Sequence, residues 1–136
     1  MAMKLVIDTN VLVSALSRNS VYHWLITELL NEKFDLFLTA EILLEYEEIL
    51  KIKYSPSVAG NFLIALKELP NVYFTQVYYR WQLLKDEDDN KFVDCYVAAN
   101  AEYMIKHDAG FKTLLFVPFP AIQVISLYEF KNFLMP

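Results

Sequence analysis

Glycine is nearly absent: the 136 residues contain only two, Gly60 and Gly110. A phosphate-cradling loop and a dinucleotide fingerprint each need several glycines where the backbone bends tightly against its ligand. Neither is present, which excludes nucleotide-triphosphate chemistry on such a loop. Cysteine occurs once, at Cys95, so no intrachain disulfide forms and a reducing compartment is expected. One cysteine and two histidines, His23 and His107, cannot build a tetrahedral zinc site of the usual kind. Positive charge is also scarce, with a formal net charge of -5. Nucleic-acid binding ordinarily rests on a basic surface, so any phosphate chemistry here needs help from cations. No apolar run reaches the roughly 18 residues of a membrane span. No signal peptide is visible either, because the first apolar run flows straight into strand and helix patterns. The expectation is a cytoplasmic protein with no membrane association.

What the chain has in quantity is apolar and aromatic surface, 56% and 15% of its residues. That favours a packed globule over a disordered chain. The length suits one domain, residues 1–136, with one core.

Strand and helix signals alternate along it. Strands are predicted at Leu5 to Ile7, Asp35 to Leu38, Val72 to Thr75, Tyr103 to Lys106 and Ile122 to Ile125. Helices are predicted at Asn10 to Leu16, Val21 to Asn31, Ala40 to Lys53 behind a Thr39 cap, Ala59 to Leu69 and Lys91 to Ala101. A helical turn is predicted at Phe111 to Leu115. Ser126 and Glu129 have capping-box spacing at the head of a last helix ending near Leu134. Val77 to Leu84 fits neither period. Short apolar strands separated by helices predict a three-layer α/β/α domain around a mainly parallel central sheet.

In such sheets ligands bind outside the carboxyl ends of the strands. Asp8 directly follows the first strand, and Asp108 follows the strand at 103–106. Parallel pairing would bring both to one edge. Asp8-Thr9-Asn10 equally suits a helix cap.

Asp94 is the only acid within "KFVDCYVAANA", a helix with almost no polar side. A buried carboxylate needs a partner: a cation, a metal, backbone donors, or the positive end of its own helix. On "TAEILLEYEEILK", Glu45 and Glu47 flank the apolar face on opposite sides, and periodicity does not choose between them. The loop 86–89 reads as a solvated turn in which Asp89 caps the next helix or binds metal through water. Arg18, Lys53, Lys106 and Lys112 read as surface cations, used in salt bridges or to guide a polyanionic ligand. His23 reads as a helix-surface residue and His107 as structural or substrate-facing. The segment Val77 to Trp81 is either a docking or dimer surface or part of the core.

Two carboxylates 4 Å apart repel by about 4 kcal/mol at an effective dielectric near 20. An all-oxygen cluster of this kind suits Mg2+ or Mn2+.

Taken together, Asp8-Thr9-Asn10 after a first strand, Glu45 on a following helix, "DEDDNKFVDCYVAANAEYMIKHD" and the terminal "VISLYEF" resemble the PIN-domain family. The likeness spans Lys4 to about Phe133 and is to the bacterial toxin branch, relatives of the VapC-type ribonucleases. The resemblance implies a PIN-like fold and a Mg2+- or Mn2+-dependent endoribonuclease that leaves a 5′-phosphate on its RNA product. It implies an antitoxin protein as partner. Carried over by position, the catalytic and metal-binding acids are Asp8, Glu45, Asp94 and Asp108, which selects Glu45 over Glu47. Asn10 or Thr9 supplies the accompanying polar group, and Asp89 matches a further acid. One departure stands out: many relatives have Thr or Ser shortly before the last aspartate, where this chain has Lys106-His107.

Two other readings compete. One is a PIN-like domain that binds RNA or protein without cutting. The other is an α/β phosphatase or receiver protein using a strand-end aspartate as phosphoacceptor. A haloacid-dehalogenase-like phosphatase wants a second aspartate two residues after the first, where this chain has Asn10. A receiver wants adjacent acids near the first strand and a lysine alone at a later strand end.

Overall fold

The structure is a computed structural model in which residues 2–107 and 118–135 are described. The expected helical turn at 111–115, Lys112 and Asp108 lie outside those residues.

Strand β1 (Met3–Ile7) leads into helix α1 (Thr9–Ala15) and helix α2 (Trp24–Leu30). Strand β2 (Phe34–Leu38) is followed by α3 (Ala40–Lys53) and α4 (Pro56–Glu68), then by the short strand β3 (Val72–Phe74). Helix α5 (Glu87–Ala99) precedes β4 (Tyr103–Ile105), and β5 (Val124–Ile125) precedes the last helix, α6 (Leu127–Leu134). The sheet order is β3-β2-β1-β4-β5, and each neighbouring pair is parallel.

Leu5, Val6 and Ile7 are all fully buried. Successive strand residues point to opposite faces, so both faces of β1 are covered. That is the signature of a parallel sheet between two helical layers. The three-layer α/β/α expectation is met.

Local chemistry fixes the element ends. The Thr39 hydroxyl accepts from Ile42 N–H and starts α3. Ser55 accepts from Val58 N–H with Pro56 in the first turn, so the predicted break "SPS" is the head of α4, three residues ahead of the expected start. The Ser126–Glu129 capping box forms as expected. Helix α5 ends on Asn100 at φ 54, in the left-handed region where glycine is usual. In a glycine-poor chain asparagine takes that place at modest cost.

Other boundaries differ from expectation as well: α2 starts at Trp24 rather than Val21, and β5 at Val124 rather than Ile122. Helix α5 starts at Glu87 rather than Lys91, and its cap is Asp86, which accepts from Asp88 N–H, rather than Asp89. The first turn is therefore acidic, as the positive helix end favours. The ambiguous stretch after β3 forms neither helix nor strand. It is held from α5: Asp94 accepts from Trp81 N–H at 2.9 Å, and Asn90 both accepts from Leu84 N–H and donates to Leu84 C=O.

The core runs from β1, β2 and β4 into the helices. Tyr46, Phe34, Phe92 and Phe130 are its largest buried side chains. Phe34 meets Phe130 edge-to-face at 5.3 Å, tying α6 to β2. Among the described residues, no helix is long and apolar enough to cross a membrane.

Candidate active site

Strands β1, β2 and β3 step outward on one side, and β4 returns to pair on the other side of β1. The connection reverses between β1 and β4, and ligands of such sheets bind at that crevice, beyond the carboxyl ends. Ile7 pairs with Ile105, and Asp8 N–H bonds Ile105 C=O at 3.0 Å. The register places Asp8 and Lys106 side by side at the reversal.

Asp8 caps α1 by accepting from Asn10 N–H at 3.3 Å. It is also buried, and its other carboxylate oxygen receives the Lys106 ammonium at 3.4 Å. Burial pushes the Asp8 carboxyl above its ordinary value. Lys106 and the Asn10 N–H oppose that rise, and the Glu45 charge adds to it. The cap reading and the site reading are therefore both true of Asp8. Lys106, expected at the surface, is buried. Strand β4 carries it into the crevice one residue after Ile105, and a buried ammonium needs its carboxylate.

Glu45 reaches the same rim from α3. The Thr9 hydroxyl donates to its Oε2, and Lys91 Nζ from α5 lies 3.0 Å from its Oε1. Beneath them the Tyr46 hydroxyl donates to Ile7 C=O at 2.6 Å. Burial holds the Tyr46 phenol well above its ordinary value, with the Cys95, Asp8 and Glu45 charges adding. The Cys95 thiol is pushed up to about 12 by burial and is no nucleophile.

Asp94 lies elsewhere on α5. Its partner is a backbone donor, Trp81 N–H, and its nearest charges are Arg80 and Glu41, which pair at 3.0 Å. Burial raises its carboxyl; the Trp81 hydrogen bond and Arg80 pull the other way. The helix-end explanation loses force, because Asp94 sits in the third turn of α5. A groove lined by Thr39, Glu41, Gln76, Arg80, Lys91 and Asp94 connects this acid with Lys91.

The structure thus brings together Asp8, Thr9, Glu45, Lys91 and Lys106, and Asn10 joins through its backbone. Asp89 lies in the first turn of α5. Asp88 lines a recess with Glu45, Glu48 and Lys91. Among the described residues, no group of three or more His, Cys, Asp or Glu side chains is gathered closely enough to hold an ion. Asp8 and Glu45 are oxygen donors of the kind Mg2+ or Mn2+ prefers. They fit two positions of such an ion, and water would fill the others. Sequence reading missed Lys91 and Lys106 as members of the rim. Lys106 was read as the last residue of its strand; β4 ends one residue earlier, and the register with β1 then sets it beside Asp8.

His107 Nε2 lies 3.1 Å from Ser14 Oγ, and its ring packs on Tyr22 at 5.0 Å, a structural placement. Tyr78 and Tyr79 are exposed, so the 77–81 segment presents aromatics outward rather than into the core. Tyr79, Trp81 and Phe119 meet edge-to-face in sequence.

A parallel α/β/α sheet with paired acids from the first strand end and the third helix defines an α/β protein with an acidic site at its topological reversal. A family model described as PIN domain matches residues 4–109, and the chain belongs to that family. Its fold is similar to that of a chain of VapBC2 from Rickettsia felis, solved bound to a fragment of promoter DNA: 15% identity, TM-score 0.64, covering 91% of this chain and 98% of that one. It is similar to the PIN domain of human SMG5, at 12% identity and TM-score 0.60 over 95% of this chain and 97% of that one. It is also similar to VapC20 of Mycobacterium tuberculosis, a toxin that cleaves the sarcin-ricin loop. There the identity is 15% and the TM-score 0.61 over 83% of this chain and 96% of that one. No curated protein matches the chain by sequence.

Proposed function

We propose that the chain is an endoribonuclease of the toxin type, dependent on Mg2+ or Mn2+ and restrained by an antitoxin protein. The observation that carries this reading is the convergence of Asp8 and Glu45, joined through Thr9, at the reversal of the sheet. PIN domains are generally nucleases. A divalent ion at these carboxylates would polarise the phosphodiester and supply a water of lowered pKa.

The chain's own residues do the rest. The α1 cap fixes one oxygen of Asp8, so its carboxylate is held before any ligand arrives. The Thr9 hydroxyl orients Glu45 in the same way. Asp94 holds the Trp81 backbone and so stations Arg80 beside the groove, where its guanidinium meets a phosphate better than a lysine does. Asp108 enters the proposal from its place in the sequence, three residues after β4. Tyr78, Tyr79 and Phe119 form the aromatic surface offered to the antitoxin.

The test is cleavage of labelled RNA with Mn2+. Losing even an outer-shell partner of a metal ligand costs about 10–100-fold, so Asp8→Asn is expected to lose at least on the order of 100-fold. Undiminished cleavage by Asp8→Asn would overturn the reading.

A second reading, a PIN domain that binds RNA without cutting, is favoured by one observation. Both rim acids already carry a lysine ammonium. Tight RNA binding with no cleavage in any divalent metal would select it.

A further inference from the structure

We propose that Lys106 is an internal counter-cation of the acidic rim, and that a divalent ion gains Asp8 only by competing with its ammonium. The inference rests on the acidic-site reading above and extends it to what regulates entry.

The two rim lysines are not equivalent. Lys91 meets Glu45 near the surface, with 13% of its side chain and 25% of Glu45 exposed. Its flexible stem gives the ammonium a shorter path to water than Lys106 has. Lys106 meets Asp8 with only 5% and 6% exposed. Its backbone N–H is bonded to Ile125 C=O, so β5 locks the residue from which the side chain rises. An ammonium in that setting stays near the carboxylate that solvates it, because leaving means moving a charge through a dry interior.

The consequence for an arriving ion is electrostatic. Asp8 and Glu45 would attract a dication strongly if bare. With Lys106 in place the ion meets a fixed positive charge a few ångströms from its first oxygen. Lys91 offers a weaker obstacle, since it withdraws. Among the described residues each rim acid is matched by an ammonium, which keeps the acids from repelling one another and the fold intact in ion-free conditions. The same compensation lowers divalent affinity. Lys106 is therefore a positioning residue that sets the ion concentration at which the site loads.

Calorimetric titration with Mn2+, together with the Mn2+-induced shift in melting temperature, tests this on the full chain. Lys106→Met is expected to bind Mn2+ at least about tenfold more tightly than wild type, and to gain more melting temperature from the ion. Lys91→Met is expected to change affinity about threefold or less. Lys106→Thr, which removes the charge but keeps a polar group, should follow Lys106→Met. It serves as the deciding variant if the methionine chain does not fold. A Lys106→Met protein that folds only when Mn2+ is added supports the proposal, because the ion then replaces the missing ammonium. Equal affinity in wild type and both Lys106 variants overturns it while leaving the ion site standing. Weaker binding in folded Lys106 variants overturns it also, since the lysine would then be organising the ligands. No Mn2+ binding in any of the four proteins overturns both the lysine's role and the metal reading of the rim.

Discussion

Asp94 shows how a single side chain can be read correctly for its need and incompletely for its remedy. Its place on a helix with almost no polar face required a partner. Sequence could not say which, because Trp81 belongs to a stretch with no recognisable period. Its burial has a measurable consequence. A carboxyl raised above 3.8 in the fold is favoured protonated there. Its contribution to stability is complete below the unfolded value and is lost as pH rises through the folded one. Asp94→Asn keeps the oxygen that accepts from Trp81 but carries no charge. Thermal melts across pH should show no advantage for the variant below pH 3.8, and a growing advantage above it that levels off once wild-type Asp94 is ionised. Asp94→Ala should instead lose about 1–3 kcal/mol, because the Trp81 N–H is left without its acceptor. The family pattern names Asp8, Thr9 and Glu45 in order, and the fold brings the three to one rim. Lys106 was not legible, since residue type alone gives a lysine a surface address and only strand register overrides it.

Among the elements, helices announced themselves best. Thr39 and the Ser126–Glu129 box were readable because capping is local chemistry, decided within four residues. Helix α5 began earlier than its apolar pattern suggested because its first turn is built of acids, which periodicity registers as loop. The strands were found from their apolar runs, yet β3 and β5 proved shorter than expected, as edge strands in a parallel sheet often are. Helix α6 depends on its cap more than most, being eight residues long. Ser126→Ala removes the acceptor for Glu129 N–H and should cost about 1 kcal/mol. That corresponds to a fall in melting temperature of about 3–5 °C for a chain of this size. An unchanged melting curve would mean that the Phe130 and Leu127 anchors alone hold the helix.

At the scale of the whole molecule, alternation of strand and helix made the architecture legible, while strand order was not. No periodicity tells the fourth strand to pair with the first. The result is one continuous core reached by β1, β2, β4 and most of the helices. Such a core should unfold in one step. Trp24 packs on Phe130, whereas Trp81 lines a separate recess with Tyr79, Asp94 and Val97. Single-tryptophan variants, Trp24→Phe and Trp81→Phe, should give urea midpoints that coincide with circular dichroism of the same proteins. Separate midpoints would divide the molecule into independently melting parts.

Because the opening strand lies in the middle of the sheet, its second neighbour emerges from the ribosome only after some hundred residues have been made. Until then the growing polypeptide holds Asp8 with one flank bare and its lysine not yet synthesised. A product cut short before β4 would therefore lack the completed rim. The acidic rim is thus assembled only once β4 and Lys106 have been made, long after Asp8 itself.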